Sequence, residues 1–432
     1  MILGNPPYNG FAGMAVEEER SLSEAYRTTK KVRRPEGQGL NDLYVRFYRM
    51  AERRIAEKTG RGIVSFISNY SWLDGLSFTG MRERYLEAFD AIRIDCLNGD
   101  KFKTGKTTPE GQPDPSIFST EHNREGIQVG TAIALLIRKE IHAPISTVAF
   151  RHLWGTAKRQ QLLQTAEADT PSLYQTLSPS LELGLPFVQT TVGSNYHQWP
   201  KMPDLLPTSF PGVKTSRDEF LVAIDRDRLE KRLSMYFDPA ASHDDLRARF
   251  PTIMTTTTGF NGKKIRDDLT KRGVQSHHVV PYAYRPFDIR WIYWEPQLAD
   301  RAREEFWPHV VSGNSFLEAR ERQPKENFDR GTVVRCLADN FGNGLSHFFP
   351  LYLCEQHGDG ADKLRLNFSQ SVGQFLNRSD LKGGVLFHHV AAILHSPSYR
   401  AENPGGYAWI GLASRFQAIL RSFARLPILA WS

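Results

Sequence analysis

Cysteine is scarce: Cys96, Cys336 and Cys354 are the only three in 432 residues. They are far apart and form no Cys-x-x-Cys pair, which excludes a disulfide framework and a cysteine zinc site and makes a reduced, cytoplasmic setting the expectation. No basic-then-apolar leader opens the chain. The longest apolar run, Val129 to Ile137, is too short to span a bilayer but suits a buried strand. A phosphate loop is also missing. Lys103-Thr104-Gly105-Lys106-Thr107 imitates one, but five residues separate Gly99 from Gly105 where four are needed, and Pro109, Pro113 and Pro115 forbid the following helix. There is no His-Glu-x-x-His and no Gly-x-Ser-x-Gly. The adjacent pairs His277-His278 and His388-His389 would point to opposite faces of a strand, so no metal is expected. Internal repeats and low-complexity tracts are absent.

What is present describes a folded chain of more than one core: 40% hydrophobic, 11% aromatic and 24% charged residues. The formal net charge of +7 favours a polyanionic partner, nucleic acid before membrane. After the stub Met1-Ile2-Leu3, strands and helices alternate. A helix is expected over 42–56, with Leu43, Phe47, Met50, Ala51 and Ile55 on its apolar face and Arg46, Arg49, Arg53 and Arg54 on the other. A strand is expected over 63–68, a helix over 77–89, and strands over 91–97 and 129–138. This is an α/β pattern with a mostly parallel sheet. Residues 10–39, polar and aperiodic, are expected as a mobile loop whose basic run 30–34 is either a solvated face or a phosphate contact. Residues 170–212 look like a linker, and 215–237 like one amphipathic helix. The run Tyr282–Trp294 interleaves rings with Arg285 and Arg290, which fits either a packed strand with an Asp288–Arg290 ion pair or a stacking surface.

Asn5-Pro6-Pro7-Tyr8, in the loop leaving the first strand, carries the chemistry. An Asn amide oxygen and the Pro6 carbonyl are two acceptors for one exocyclic NH₂. The prolines restrict the backbone, and Tyr8 offers a flat face for stacking. A plain turn would use the same residues. Phe118, before the last strand, either closes over a base from the other side or is an ordinary core residue. Lys263, Lys264, Arg266, Lys271 and Arg272 form a basic cluster and are candidates for phosphate contact.

The tetrapeptide resembles the catalytic motif of amino-group methyltransferases, and the order of elements after it is similar to that of the γ-group N6-adenine DNA methyltransferases. Further stretches resemble the modification and recognition half of Type ISP restriction-modification enzymes. They are Pro211–Asp218, Tyr284-Arg285-Pro286-Phe287-Asp288, Phe349-Pro350-Leu351-Tyr352 and Leu394–Arg400. The resemblance implies site-specific adenine N6-methylation of duplex DNA with S-adenosyl-L-methionine. Asn5, Pro6, Pro7 and Tyr8 would be catalytic, and Tyr8 and Phe118 would stack on a flipped base. It implies the carboxyl-side half of a Rossmann-like methyltransferase sheet over residues 1–165, then a linker and a mixed α/β target-recognition domain over 166–432. The family's glycine loop and ribose-binding acid precede the catalytic loop and are not in this sequence. Cofactor-binding residues are therefore unassigned, and the expectation is a fragment, a split subunit completed by an upstream segment, or a truncated gene product. Residues 405–432 also depart from the family's ending. Two alternatives remain: a recognition module without catalysis, and a methyltransferase acting on protein glutamine.

Overall fold

The computed structural model describes residues 1–8, 17–32, 34–35, 39–167, 173–192, 201–320, 331–342, 346–355, 363–379 and 382–403. It divides into two compact units, Met1–Thr190 and Thr191–Ser432.

The first unit is built on a six-stranded sheet. Its strands are β1 (Ile2–Gly4), β2 (Gly62–Asn69), β3 (Ala91–Asn98), β4 (Thr131–Arg138), β5 (Val148–His152) and β6 (Gln175–Leu177), in the order β1-β2-β4-β3-β5-β6. The pairings β1–β2 and β3–β5 are parallel, whereas β4 is antiparallel to both β2 and β3, and β6 to β5. Four strands thus run one way and two the other. The sheet is mixed where the alternating pattern suggested mostly parallel pairing, because β4 inserts in reverse between β2 and β3. β6 lies in the stretch expected to be a linker; Phe187, buried nearby, belongs to this core as well.

Helices α1 (Glu17–Glu24), α2 (Leu43–Glu52), α3 (Thr79–Ala88) and α4 (Lys158–Glu167) accompany the sheet, and α2 continues as a π-helical turn over Arg53–Thr59 that ends at Gly60 with φ 71°. The core is ring-rich: Tyr48, Trp72 and Tyr85 meet at centroid distances of 5.4–6.1 Å. Two expectations are corrected here. Residues 10–39 are not all loop, since α1 lies among them. Tyr26 is fully buried, and Glu83 accepts the backbone N–H groups of Lys30, Lys31 and Val32 at 2.7, 3.0 and 3.1 Å; residues 10–16 lie outside those described. The face of α2 is also rotated. Arg46 and Arg49 are buried, while Phe47 and Met50 are exposed. Arg49 is held by Glu52, 1% exposed, which pairs with it at 3.0 Å and with Arg84, and accepts the Tyr26 hydroxyl at 2.8 Å; Arg46 instead pairs with Glu19 and donates to the Asn41 carbonyl, both at 3.4 Å. A buried carboxylate needs cationic partners, so Arg49 is drawn inward.

The second unit holds strands β7 (Phe210–Pro211), β8 (Val222–Ala223), β9 (Thr256–Thr257), β10 (Phe260–Asn261), β11 (Val279–Arg285), β12 (Asp288–Tyr293), β13 (Phe316–Ala319), β14 (Gly331–Val334), β15 (Leu337–Ala338), β16 (His347–Pro350), β17 (Tyr352–Glu355) and β18 (Lys363–Leu366). They form sheets β15-β11-β12-β8 and β14-β13-β16-β7 and the pairs β9–β10 and β17–β18. The stretch 215–237 is not one helix. Helices Asp218–Leu221 and Arg226–Phe237 flank β8, because Val222 and Ala223 pair with Ile292 and Trp291, and Ile224 is 63% exposed. Tyr282, Ile292 and Tyr293 are buried, Trp294 stacks on Trp307 at 4.0 Å, and Asp288 pairs with Arg290 at 2.8 Å, so much of the aromatic run is core. Residues 405–432 lie outside those described.

Candidate active-site loop and basic surface

β1 is short and sits at the sheet edge, with Ile2, Leu3 and Gly4 opposite Val64, Ser65 and Phe66. Gly4 makes a close approach: a Cβ there would lie 3.2 Å from the Phe66 ring. The chain then turns at the carboxyl end of the strand, where open α/β sheets place their ligand crevices. Asn5 and Pro7 are exposed, Pro6 is buried and Tyr8 is half-buried. The Tyr8 hydroxyl lies 2.8 Å from Asn5 Oδ1 and 3.1 Å from the Ile67 carbonyl, sharing one proton between two acceptors. Burial pushes its pKa up to about 12, so it keeps that proton at neutral pH. Asn5 is thereby oriented from within its own loop. Its oxygen, an acceptor with two lone pairs, keeps capacity for a second donor from the exposed side.

Residues 99–130 cross the same edge, since β3 ends there and β4 begins there. The Asp100 carboxylate accepts the N–H groups of Phe102 and Lys103 at 2.6 Å and of Gly130 at 2.9 Å, tying the start of this loop to its end. Asp114, fully buried, accepts the N–H of Gly99 at 2.7 Å and of Gly155 at 2.8 Å, and pairs with Lys158 at 2.7 Å. Lys158 Nζ also donates to the carbonyls of Leu97 at 2.6 Å and Pro115 at 2.9 Å. Phe118 rides on this loop, half-buried, its N–H donating to Ser116 Oγ at 3.3 Å. Tyr8 and Asn5 are thus in direct contact, whereas Phe118 shares the sheet edge through a separately anchored loop. Sequence reading missed the Asp100, Asp114 and Lys158 clamps, whose partners are remote in the chain and follow no motif.

The basic cluster falls on the helix Gly262–Arg272, capped by Asn261, whose side chain accepts the Lys264 N–H at 3.2 Å. Helical spacing splits the five candidates. Lys263 and Lys264 are exposed; Lys271 pairs with Asp268 at 3.5 Å and Arg272 with Glu295. Arg266 is corrected: it is buried, and its guanidinium donates to the carbonyls of Tyr236, Asp238 and Ala241 at 3.0, 2.7 and 2.9 Å. It lies one turn before Leu269 on the inward face, where loose carbonyls need a donor.

Residues 1–101 match the family model of the Eco57I restriction-modification methylase, and residues 204–404 match that of the Type ISP C-terminal specificity domain. The resemblance to Type ISP restriction-modification enzymes holds. Among solved structures, the ATP-dependent Type ISP enzyme LlaBIII bound to DNA is 20% identical at a TM-score of 0.67, covering 93% of this chain and 27% of that one. The DrdV–DNA complex is 20% identical at a TM-score of 0.67, covering 99% and 44%. A nuclease-deletion mutant of the Type ISP enzyme LlaGI in complex with a DNA substrate mimic is 18% identical at 0.63, covering 94% and 38%. At these identities the likeness is one of fold, and the chain spans less than half the length of each of the three. No curated protein sequence shows significant similarity to it.

Proposed function

We propose that the protein takes part in site-specific methylation of adenine N6 in duplex DNA, as the catalytic-loop and target-recognition portion of a restriction-modification enzyme. The observation that carries this reading is the Asn5–Tyr8 contact: an amide oxygen at the carboxyl end of a sheet strand, exposed on one side and held on the other by a phenol that stays protonated. The two family matches and the net charge of +7 support a DNA substrate.

A duplex adenine must leave the stack before its amine can be reached. Asn5 Oδ1 and the Pro6 carbonyl then accept the two N–H bonds of the exocyclic amine. This draws the nitrogen lone pair out of conjugation with the ring and fixes its direction. The Tyr8 ring, with Phe118 as a second candidate face, stacks on the base. No strong base is required of these residues; positioning and oriented dipoles do the work. An S-adenosylmethionine-type donor is implied by the methylase match. No residue is assigned to holding it.

Gel shifts of the chain with random-sequence duplexes across a salt series test the DNA half of the reading. Binding that weakens linearly on logarithmic axes as salt rises is expected; no binding at low salt overturns it. Labelled methyl transfer by a protein containing this chain then separates an enzyme from a recognition module.

A further inference from the structure

The β11–β12 hairpin presents Phe287 in a way its own fold does not need. The register sets Arg285 opposite Asp288, which leaves Pro286 and Phe287 as the two turn residues. Proline fixes φ at the first of them. The second has φ 64°, the type II position ordinarily filled by glycine or asparagine. A bulky L-residue suffers a steric penalty there that glycine avoids. The ring gains nothing in return from packing, since the residue is 93% exposed. Water exposure and backbone strain therefore both oppose phenylalanine at this position, and strain of this kind persists where a site uses it.

Its surroundings fit one partner chemistry. The guanidinium carbons of Arg285 and Arg290 each lie 4.0 Å from the centroid of the Tyr284 ring. That ring is locked by its hydroxyl, which donates to Asp218 Oδ2 at 2.9 Å. Arg285 also pairs with Asp339 at 3.3 Å and Arg290 with Asp288 at 2.8 Å, and both keep part of their side chains open to solvent. Arg285 precedes Phe287 by two residues and Arg290 follows it by three, so two guanidiniums held on one tyrosine ring flank the hairpin tip, an arrangement that matches a flat aromatic stack bordered by phosphates.

We propose that Phe287 is a DNA-stacking residue: its ring enters against the base stack of the duplex while Arg285 and Arg290 face the phosphates beside it. The assignment rests on the DNA reading above but is separable from it.

The test compares the chain with Phe287→Ala, Phe287→Gly and Phe287→Trp, by fluorescence anisotropy on a labelled pool of random-sequence duplexes and by thermal melting. Loss of one stacked ring predicts binding about tenfold weaker or more for the Ala and Gly variants, with near-wild-type binding for Trp. The salt slope stays unchanged because no charge is removed. Phe287→Gly should melt at or above the parent temperature, since it relieves the positive φ. Parent binding with undiminished Ala and Gly variants overturns the stacking role and leaves the DNA reading intact. Absence of parent binding overturns both. A Gly variant that melts clearly lower shows that the ring serves the fold, and overturns the proposal as well.

Discussion

Replacing Lys158 by methionine probes how the loop bearing Phe118 is held at the edge of the candidate site. The ammonium is 3% exposed and its partner Asp114 is fully buried. Three donors meet three acceptors: Asp114 Oδ1 at 2.7 Å, the Leu97 carbonyl at 2.6 Å and the Pro115 carbonyl at 2.9 Å. Burial pushes the lysine pKa below its usual range, with Asp114 opposing that shift, so the pair sits where desolvation is felt. Methionine keeps the stem and removes the charge. It leaves Asp114 with only its backbone donors, Gly99 and Gly155, and strips both carbonyls of a partner. Losing one member of a buried pair costs about 3–5 kcal/mol, and the surviving backbone bonds argue for about 3. For a unit of this size that lowers its melting temperature by about 6–12 °C. Differential scanning calorimetry, resolving the transition of the first unit, reads the change. Hydrogen exchange at Gly99 and Gly155 should rise with it. A melting shift under about 2 °C would refute the reasoning, because the clamp would then carry no net stabilisation.

Further outcomes follow from single side chains. Arg266→Ala removes three bonds to backbone carbonyls and should destabilise the second unit by about 2–4 kcal/mol while leaving the salt slope of DNA binding unchanged. Lys263→Ala and Lys264→Ala should do the opposite, each lowering that slope by about one with no change in melting; equal behaviour of all three variants would contradict the division. Asp90 is held at about 2: burial acts to raise it, but the N–H groups of Lys139 and Ala143 and the His142 imidazole outweigh that. Because the folded pKa is the lower one, its stabilisation is present above 3.8 and is lost as pH falls from 3.8 towards 2. Asp90→Asn should flatten the acid unfolding curve in that window, and an unchanged curve would deny the carboxylate this role.

Much of the first unit was legible from the sequence because β2, β3 and β4 are long, apolar and bounded by clear breaks. Their direction was less legible: nothing local says that β4 enters reversed. Charge misled wherever a buried acid recruited its own partners. Arg49 read as part of a solvent face until Glu52, on the same helix, is seen to lie inside, and Arg46 until its partners Glu19 and the Asn41 carbonyl are seen. Arg266 read as a free cation because the carbonyls it satisfies belong to residues 236–241, remote in sequence. The break at Val222–Ala223 was hidden by good helical periodicity that strand pairing with β12 overrides. For the site, the tetrapeptide was visible in the letters, but the anchoring of Asn5 by Tyr8 was not, since the expectation used the tyrosine only for its ring. Phe287 lay in plain view within a motif, and only its φ and exposure distinguish it.

The central claim is that Asn5 and the Pro6 carbonyl hold an extruded adenine amine. Methyl transfer to duplex DNA by a protein containing this chain, with Asn5→Ala beside the parent and duplex binding measured in parallel, tests it most directly. The account predicts a fall of about 10²–10³ in turnover, the scale of removing one positioned polar group, with duplex binding little changed. Undiminished turnover in Asn5→Ala would contradict it.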